Sequence, residues 1–366
     1  MVGGAITWIM TKPVSITVEF VDQLKTPLFP NQTYTRTLLR GYSITPPERT
    51  GYRLAAASKS KLQGRFSIQH RNIVLQYEPV GGATPLSQVN HAKYVGATFE
   101  VMNSKPDRDW QADPKQWNGG IDRLRIITSN DGIKWHTVNT NYPNLTVRDP
   151  SIIKYKDVWY ICYTNGLLKT SDFQHWQQIN WPLKKDTYSH QWAPEFFKDN
   201  DNKYHIVMSN ELKTSQYDTA FQSYISDFNP ETGSIKSDWH RVTGPDLPDN
   251  MIDSHIDYHD GQYYLWFKDE NRKELKLATS NNYQSGYKIK ETKIQPNNVL
   301  SYEGQFTLPR ADNEVRLYID VYIKETAMYK GVHYIDSSNN LQTWSDLKPI
   351  QADFLVRHFS IWQNIN

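Results

Sequence analysis

The sequence predicts an all-β protein, a five-bladed β-propeller preceded by a small β-rich domain, and three observations carry that prediction. Five stretches end alike, in a serine-containing turn followed by an aromatic residue: Ser129-Asn130-Asp131-Gly132 with Trp135, Ser171-Asp172-Phe173 with Trp176, Ser226-Asp227-Phe228 with Trp239, Ser280-Asn281-Asn282-Tyr283 with Tyr287, and Ser338-Asn339-Asn340-Leu341 with Trp344. The first serines stand 42, 55, 54 and 58 residues apart. A period of about 40 to 50 residues built from strands marks a propeller, because each four-stranded blade buries its faces only against its neighbours. Between the endings lie short apolar runs separated by polar turns, and the runs that open each unit begin beside a carboxylate.

Composition narrows the function. A chain of 366 residues has room for two domains. Its formal charge is only +2 with Lys and Arg scattered, which favours neither nucleic acid nor a membrane surface. The single cysteine, Cys162, excludes an intrachain disulfide framework and falls in an apolar strand. No run of 18 apolar residues is present, so no membrane insertion is expected. Most of the 23 Tyr and 12 Trp must be packing, while a few can serve as platforms for sugar faces.

Taken in order, residues 1–13 lack a basic leader and a cleavage site and read as a truncated leader or an added end. Residues 14–79 form the β-rich module, opening on Ser15-Ile16-Thr17-Val18-Glu19-Phe20-Val21-Asp22 and closing on Asn72-Ile73-Val74-Leu75-Gln76-Tyr77. Residues 80–93, starting Val80-Gly81-Gly82-Ala83-Thr84-Pro85, read as a linker. The propeller then spans 94–366. Ala97–Met102 and Leu124–Thr128 lack an inner strand before them, and Arg357-His358-Phe359-Ser360-Ile361-Trp362 at the other end supplies it. Pairing the two termini in one sheet removes two open edges, so closure there is expected.

The remaining inner strands are Asp149-Pro150-Ser151-Ile152-Ile153, Trp192-Ala193-Pro194-Glu195-Phe196, Ile252-Asp253-Ser254-His255 and Tyr302-Glu303-Gly304-Gln305. In each, the polar residue is expected at the same place, the start of the strand. If those starts gather around an axis, Asp149, Glu195, Asp253 and Glu303 converge in one funnel. Crowded carboxylates repel, so one holds its proton while another stays ionised. Hydrolysis of a glycosidic bond needs that split: an acid for the leaving oxygen and a base for water.

Two resemblances sharpen this reading. The opening Ile-Thr-Val-x-Phe-Val-Asp strand, the Pro46-Pro47 and Gly51-Tyr52 region and the closing strand of residues 14–79 resemble the mucin-binding-protein (MucBP) repeat. That implies an extracellular or cell-surface setting and contact with mucin or another surface glycan. Over residues 94–366, Arg148-Asp149-Pro150-Ser151-Ile152, Trp192-Ala193-Pro194-Glu195, Ile252-Asp253, Lys268-Asp269-Glu270, Glu303-Gly304 and Arg357-His358-x-Ser360-Ile361 follow in the order of glycoside hydrolase family 43.

The second resemblance implies an inverting glycosidase that acts on α-L-arabinofuranosyl or β-D-xylosyl linkages of an oligo- or polysaccharide. Asp149 would be the general base, Glu303 the general acid, and Asp253 the residue that holds the acid and tunes it. Inversion places the Asp149 and Glu303 carboxyl groups roughly 6.5 to 9.5 Å apart. Glu195, Trp192, Trp266, Tyr302 and His358 are the candidate substrate-binding residues. Histidines like His358 help bind a central cation or water in some relatives, which makes a structural calcium near it an expectation. No cofactor is required and no metal ligand is assigned, because calcium takes several oxygen ligands. The chain departs from the family at Gln305, where a proline is usual, and loss of that φ-fixing ring is expected to loosen the strand start. A binding-only adhesin with a degenerate propeller is the competing reading. A sialidase-like propeller fails for want of an arginine cluster with a tyrosine nucleophile.

Overall fold

The computed structural model describes residues 13–21, 25, 27–48, 52–68, 72–79, 85–102, 121–182, 184–213, 220–236, 238–292, 294, 299–311, 314–338 and 341–364. The leader assignment, Pro13 apart, lies outside them.

Alternation in the amino-terminal module builds a sheet in which the strand Pro13–Val21 lies between Pro27–Thr37 and Asn72–Pro79, with Tyr52–Leu54 on the far edge. The central strand reads out, in, out, in from Pro13 to Phe20. Ile16, Val18, Phe20, Leu28, Phe66 and Leu75 thereby form a separate core. Its two long flanking strands differ in sense: Pro27–Thr37 is antiparallel and Asn72–Pro79 parallel to the centre. Part of the stretch read as a linker is a helix, Pro85–His91. Its Val89 is fully buried and, with Leu86, packs into a core that includes Val95, Leu124, Ile152 and Trp159. Asn364 Nδ2 donates to the carbonyls of Val89 and Ala92, at 3.0 and 2.7 Å.

Five antiparallel sheets follow. Blade I holds Ser151–Tyr155, Val158–Tyr163, Gly166–Thr170 and Gln177–Ile179. Blade II starts with Tyr188–Lys198, blade III with Met251–His259 and blade IV with Leu300–Ala311. Blade V is closed as expected from both ends of the chain: Arg357–Gln363 is its inner strand, paired with Tyr94–Met102, then Ile121–Ser129 and His136–Thr137.

The repeated turns have a physical basis, in a slightly different register from the sequence reading. Ser129 Oγ accepts from Gly132 N, Thr170 Oγ1 from Phe173 N, Ser280 Oγ from Asn282 N and Ser337 Oγ from Leu341 N. The equivalents of Ser129 in blades I and IV are thus Thr170 and Ser337, one residue before the serines chosen from sequence. Blade II differs: Ser226 Oγ donates to Lys236 O instead. The aromatic endings tie blades together. Trp176 Nε1 donates to Asn141 O and Trp344 Nε1 to Thr292 O, both at 2.7 Å, each reaching the segment that precedes its own blade.

The inner strands share one irregularity. The ladder slips between Trp192 and Glu195, between Ile252 and His255, between Glu303 and Phe306, and between Arg357 and Ser360. Arg148 through Ser151 occupy the same place in blade I, where Thr164 N bonds Arg148 O beyond the regular ladder. Each bulge therefore has four equivalent positions. The second is Asp149, Ala193, Asp253, Gly304 and His358. In four blades it adopts positive φ, 51, 46, 54 and 54° in that order. Such backbone is costly for residues with a Cβ and concentrates where a bulge re-aims a side chain at a site.

The fourth position faces the next blade. Ser360 Oγ accepts from Ile152 N, Ser151 Oγ from Phe196 N, and His255 Nε2 meets Thr307 N. Glu195 holds this position in blade II. It is buried and bonded to His255 Nδ1. The expectation that all four acids share one strand position is corrected accordingly: Asp149 and Asp253 take the second, Glu303 the first and Glu195 the fourth.

Gln305 does the opposite of loosening its strand. Its buried Nε2 donates to Asp253 O and to Trp266 O, stapling the bulge of blade IV to blade III. Replacing it with Ala strands those carbonyls. The expected loss is about 1–3 kcal/mol of stability, read as a lower denaturation midpoint.

Candidate active site

The bulges bring Asp149, Asp253 and His358 together across the axis. His358 Nδ1 lies 3.6 Å from Asp149 Oδ1 and 3.8 Å from Asp253 Oδ2. The two carboxylate oxygens are therefore no farther apart than the sum of those distances. All three side chains keep between 11 and 15% of their surface open, enough for a ligand to touch them. Burial opposes charge on His358, yet Asp149 and Asp253 overcome it and raise its pKa. Both acids thus favour the charged form of the His358 ring.

Local backbone fixes each acid. Thr164 Oγ1 donates to Asp149 Oδ2 at 3.2 Å and accepts from Ala193 N at 3.1 Å. Arg148 lies between Asp149 and Asp122, 3.7 and 3.5 Å from their oxygens. Asp253 N donates to Ser209 Oγ, and Asp253 Oδ2 accepts from Gly304 N at 3.0 Å. A glycine is required at 304 on two counts: φ is +54°, and a Cβ would come within 2.8 Å of the His358 ring.

Glu303 joins the same cluster from blade IV and is held on both oxygens. Lys268 Nζ donates to Oε2 at 2.8 Å, Tyr329 OH donates to Oε1, and Arg357 Nη2 lies 3.8 Å from Oε1. Arg357 is itself fixed by Asp320 at 2.7 Å and by the Tyr329 ring, 3.2 Å from its guanidinium carbon.

Electrostatics divide the acids. Burial pushes Glu303 up, but Lys268, Arg357 and the Tyr329 bond outweigh it and hold its carboxyl at about 2. Asp253 goes the other way. Burial, helped by Glu303 and Asp149, lifts it to about 6 against the pull of His358 and Lys268. Between about pH 2 and pH 6 the empty site thus holds a proton on Asp253 and not on Glu303.

A raised folded-state pKa means that the stability Asp253 contributes is full below its ordinary 3.8 and is lost as pH rises through about 6. Asp253→Asn keeps an acceptor for Gly304 N and removes the charge. It is expected to raise the denaturation midpoint above pH 6, and to leave it nearly unchanged near pH 4, in paired urea titrations.

Other predicted residues separate into two groups. Trp192 remains half-buried at the axial end of blade II, stacked on Phe221 with ring centroids 4.5 Å apart. Trp266 is buried between blades III and IV against Trp344, so it is no platform. Tyr302 packs with Leu275, Ile294 and Leu300 in the core between the same blades, one residue out of phase with Glu303 and off the axis. Glu195 is spent on His255. Between Glu195 and Asp257, that histidine is pushed up to about 10 despite burial, and the trio is a blade-to-blade brace.

Among the described residues no group of three His, Cys, Asp or Glu side chains is arranged to hold a metal ion. Reasoning from sequence missed Tyr329, Asp320 and Asp122, and gave no role to Lys268, Arg148 and Arg357 although their motifs were quoted. The two arginines had a signal, since both hold the first bulge position of their blade.

Residues 166–363 match the family described as a probable glycosyl hydrolase domain, related to family 43, and residues 15–78 match the MucBP domain. Among solved structures, an endo-1,4-β-xylanase of Bacteroides thetaiotaomicron is 11% identical with a TM-score of 0.50, over 63% of this chain and 89% of that one. An arabinoxylan arabinofuranohydrolase of Bacillus subtilis, in complex with cellotetraose, is 13% identical with a TM-score of 0.45, over 77% and 70%. A xylan β-1,4-xylosidase of Bacillus halodurans is 15% identical with a TM-score of 0.42, over 64% and 50%. No curated protein matches the chain. At 11% identity the first of these likenesses is one of fold.

Proposed function

The chain belongs to the family of probable glycosyl hydrolase domains, and on that premise we propose that it is an inverting glycosidase cleaving α-L-arabinofuranosyl or β-D-xylosyl linkages. The observation that carries this reading is the meeting of Asp149, Asp253 and Glu303 around His358 and Arg357, partly open to solvent, at one end of the axis.

Asp149 is the proposed general base. It takes a proton from the water whose oxygen attacks the anomeric carbon, while Glu303 gives a proton to the leaving oxygen as its bond to that carbon breaks. Water on the far face yields the opposite anomer. Asp253, bonded to Gly304 N, positions Glu303 and acts on its charge. Trp192 offers an apolar ring face to the sugar. The choice of pentose rests on the order of the motifs, and the module over residues 15–78 supports a cell-surface or secreted setting with a mucin-like glycan in reach. No helix of the described residues is long and apolar enough to cross a membrane.

The test is release of aryl alcohol from aryl α-L-arabinofuranosides and β-D-xylosides by the full chain, with the first-formed anomer read by proton NMR. Hydrolysis with inversion is expected. A second reading, a glycan binder without turnover, is favoured by one observation: both oxygens of Glu303 are already engaged. Glycan binding with no turnover on the whole panel would replace the first reading by the second.

A further inference from the structure

Glu303 must carry a proton to act as an acid, yet its surroundings hold it ionised, and the group most responsible is Lys268. That ammonium is almost fully buried and has two carboxylates in reach: Glu303 Oε2 and Glu270 Oε2, each at 2.8 Å. The two contacts differ. Lys268 makes a well-directed hydrogen bond to Glu303, whereas Glu270 Oε2 lies at the same distance with no hydrogen-bond partner. Since the ammonium already touches both carboxylates, a displacement of its flexible stem away from Glu303 would leave it paired with Glu270 alone. The Tyr322 ring, 4.8 Å away, gives the cation an aromatic wall along which to turn.

Resting on the glycosidase reading, we propose that Lys268 is a positioning residue with two seats. It holds Glu303 as a carboxylate in the empty site, and a bound sugar that takes its place on Glu303 Oε2 moves it to Glu270. Glu303 then accepts a proton and becomes competent to give it to the leaving oxygen, so the acid forms only when a substrate is present. Below about pH 6 Asp253 carries a proton and is the nearby source. The groups that act on Glu303 besides Lys268 are Tyr329 and Arg357 in contact, with Asp253, Asp320 and Arg148 within electrostatic reach.

The experiment is a pH titration of the carbon-13-labelled glutamate carboxyls of the full chain, with the Glu303 signal assigned by its disappearance in Glu303→Gln. In Lys268→Met the Glu303 titration is expected to rise by about one to three pH units, the range for loss of an adjacent opposite charge. Lys268→Arg keeps a cation there and is expected to leave it low. Added xylose or arabinose is expected to raise it in the wild type and not in Glu270→Gln, which offers the ammonium no second charged seat. An unchanged titration in Lys268→Met overturns the role of Lys268, and no response to either sugar overturns the second seat. Both readouts need no turnover. A raised titration in Lys268→Met in a chain that hydrolyses no glycoside would remove the glycosidase reading and keep the role of Lys268.

Discussion

Glu303→Gln is expected to lower kcat on an unactivated pentoside by about 10²–10⁴-fold, the usual contribution of one acid or base, with KM little changed. On a dinitrophenyl glycoside the same variant is expected to lose far less, because that leaving group departs as an anion and needs no proton. Asp149→Asn separates from it on that pair. A base is required whatever the leaving group, so its loss of about 10²–10⁴-fold appears on both substrates. Steady-state rates for two variants on two leaving groups decide the assignment. Equal rates in wild type and both variants would remove it, and a reversed pattern would exchange the two roles.

The parts legible in the sequence were those a local pattern encodes. Blade count came from turns whose serine or threonine oxygen caps backbone amides, which demands certain residues at fixed offsets. Closure of blade V followed from a missing inner strand at one end and a spare one at the other. Asp149, Asp253 and Glu303 were legible because each stands near the start of an inner strand. Their differing bulge positions were not, since a slip of one residue in a ladder leaves no trace in composition. Glu195 looked equivalent to them for that reason, and its bulge turns it toward His255. Tyr329 lies in a third strand, where a phenolic residue reads as ordinary until its surroundings are known, and Lys268, in a second strand, stood in a quoted motif without a legible role. Gln305 illustrates the converse. A departure from the family pattern suggested a weaker strand start, whereas its amide forms two cross-blade bonds that a proline could not make.

Arg357→Met is expected to be the most destabilising change near the site, by about 3–5 kcal/mol, the cost of breaking a buried ion pair by removing one partner. Arg357 and Asp320 are 1% and 0% exposed and joined at 2.7 Å. Without the guanidinium, Asp320 is an uncompensated charge in the middle of the propeller, and Tyr329 loses the cation on its ring. The cost lies in the stranded carboxylate, so a second change should recover much of it. Asp320→Asn retains an acceptor for His358 N, now at 3.1 Å from Asp320 Oδ2, and carries no charge. The double variant Arg357→Met, Asp320→Asn is therefore expected to unfold at a denaturant concentration well above that of Arg357→Met alone. Equal midpoints for the single and double variants would mean that packing of the long arginine side chain, and not its charge, holds blades IV and V together. Activity should not return with stability, because Glu303 has lost one of its three tethers in both proteins. That difference separates the structural part of Arg357 from its part in holding the proposed acid.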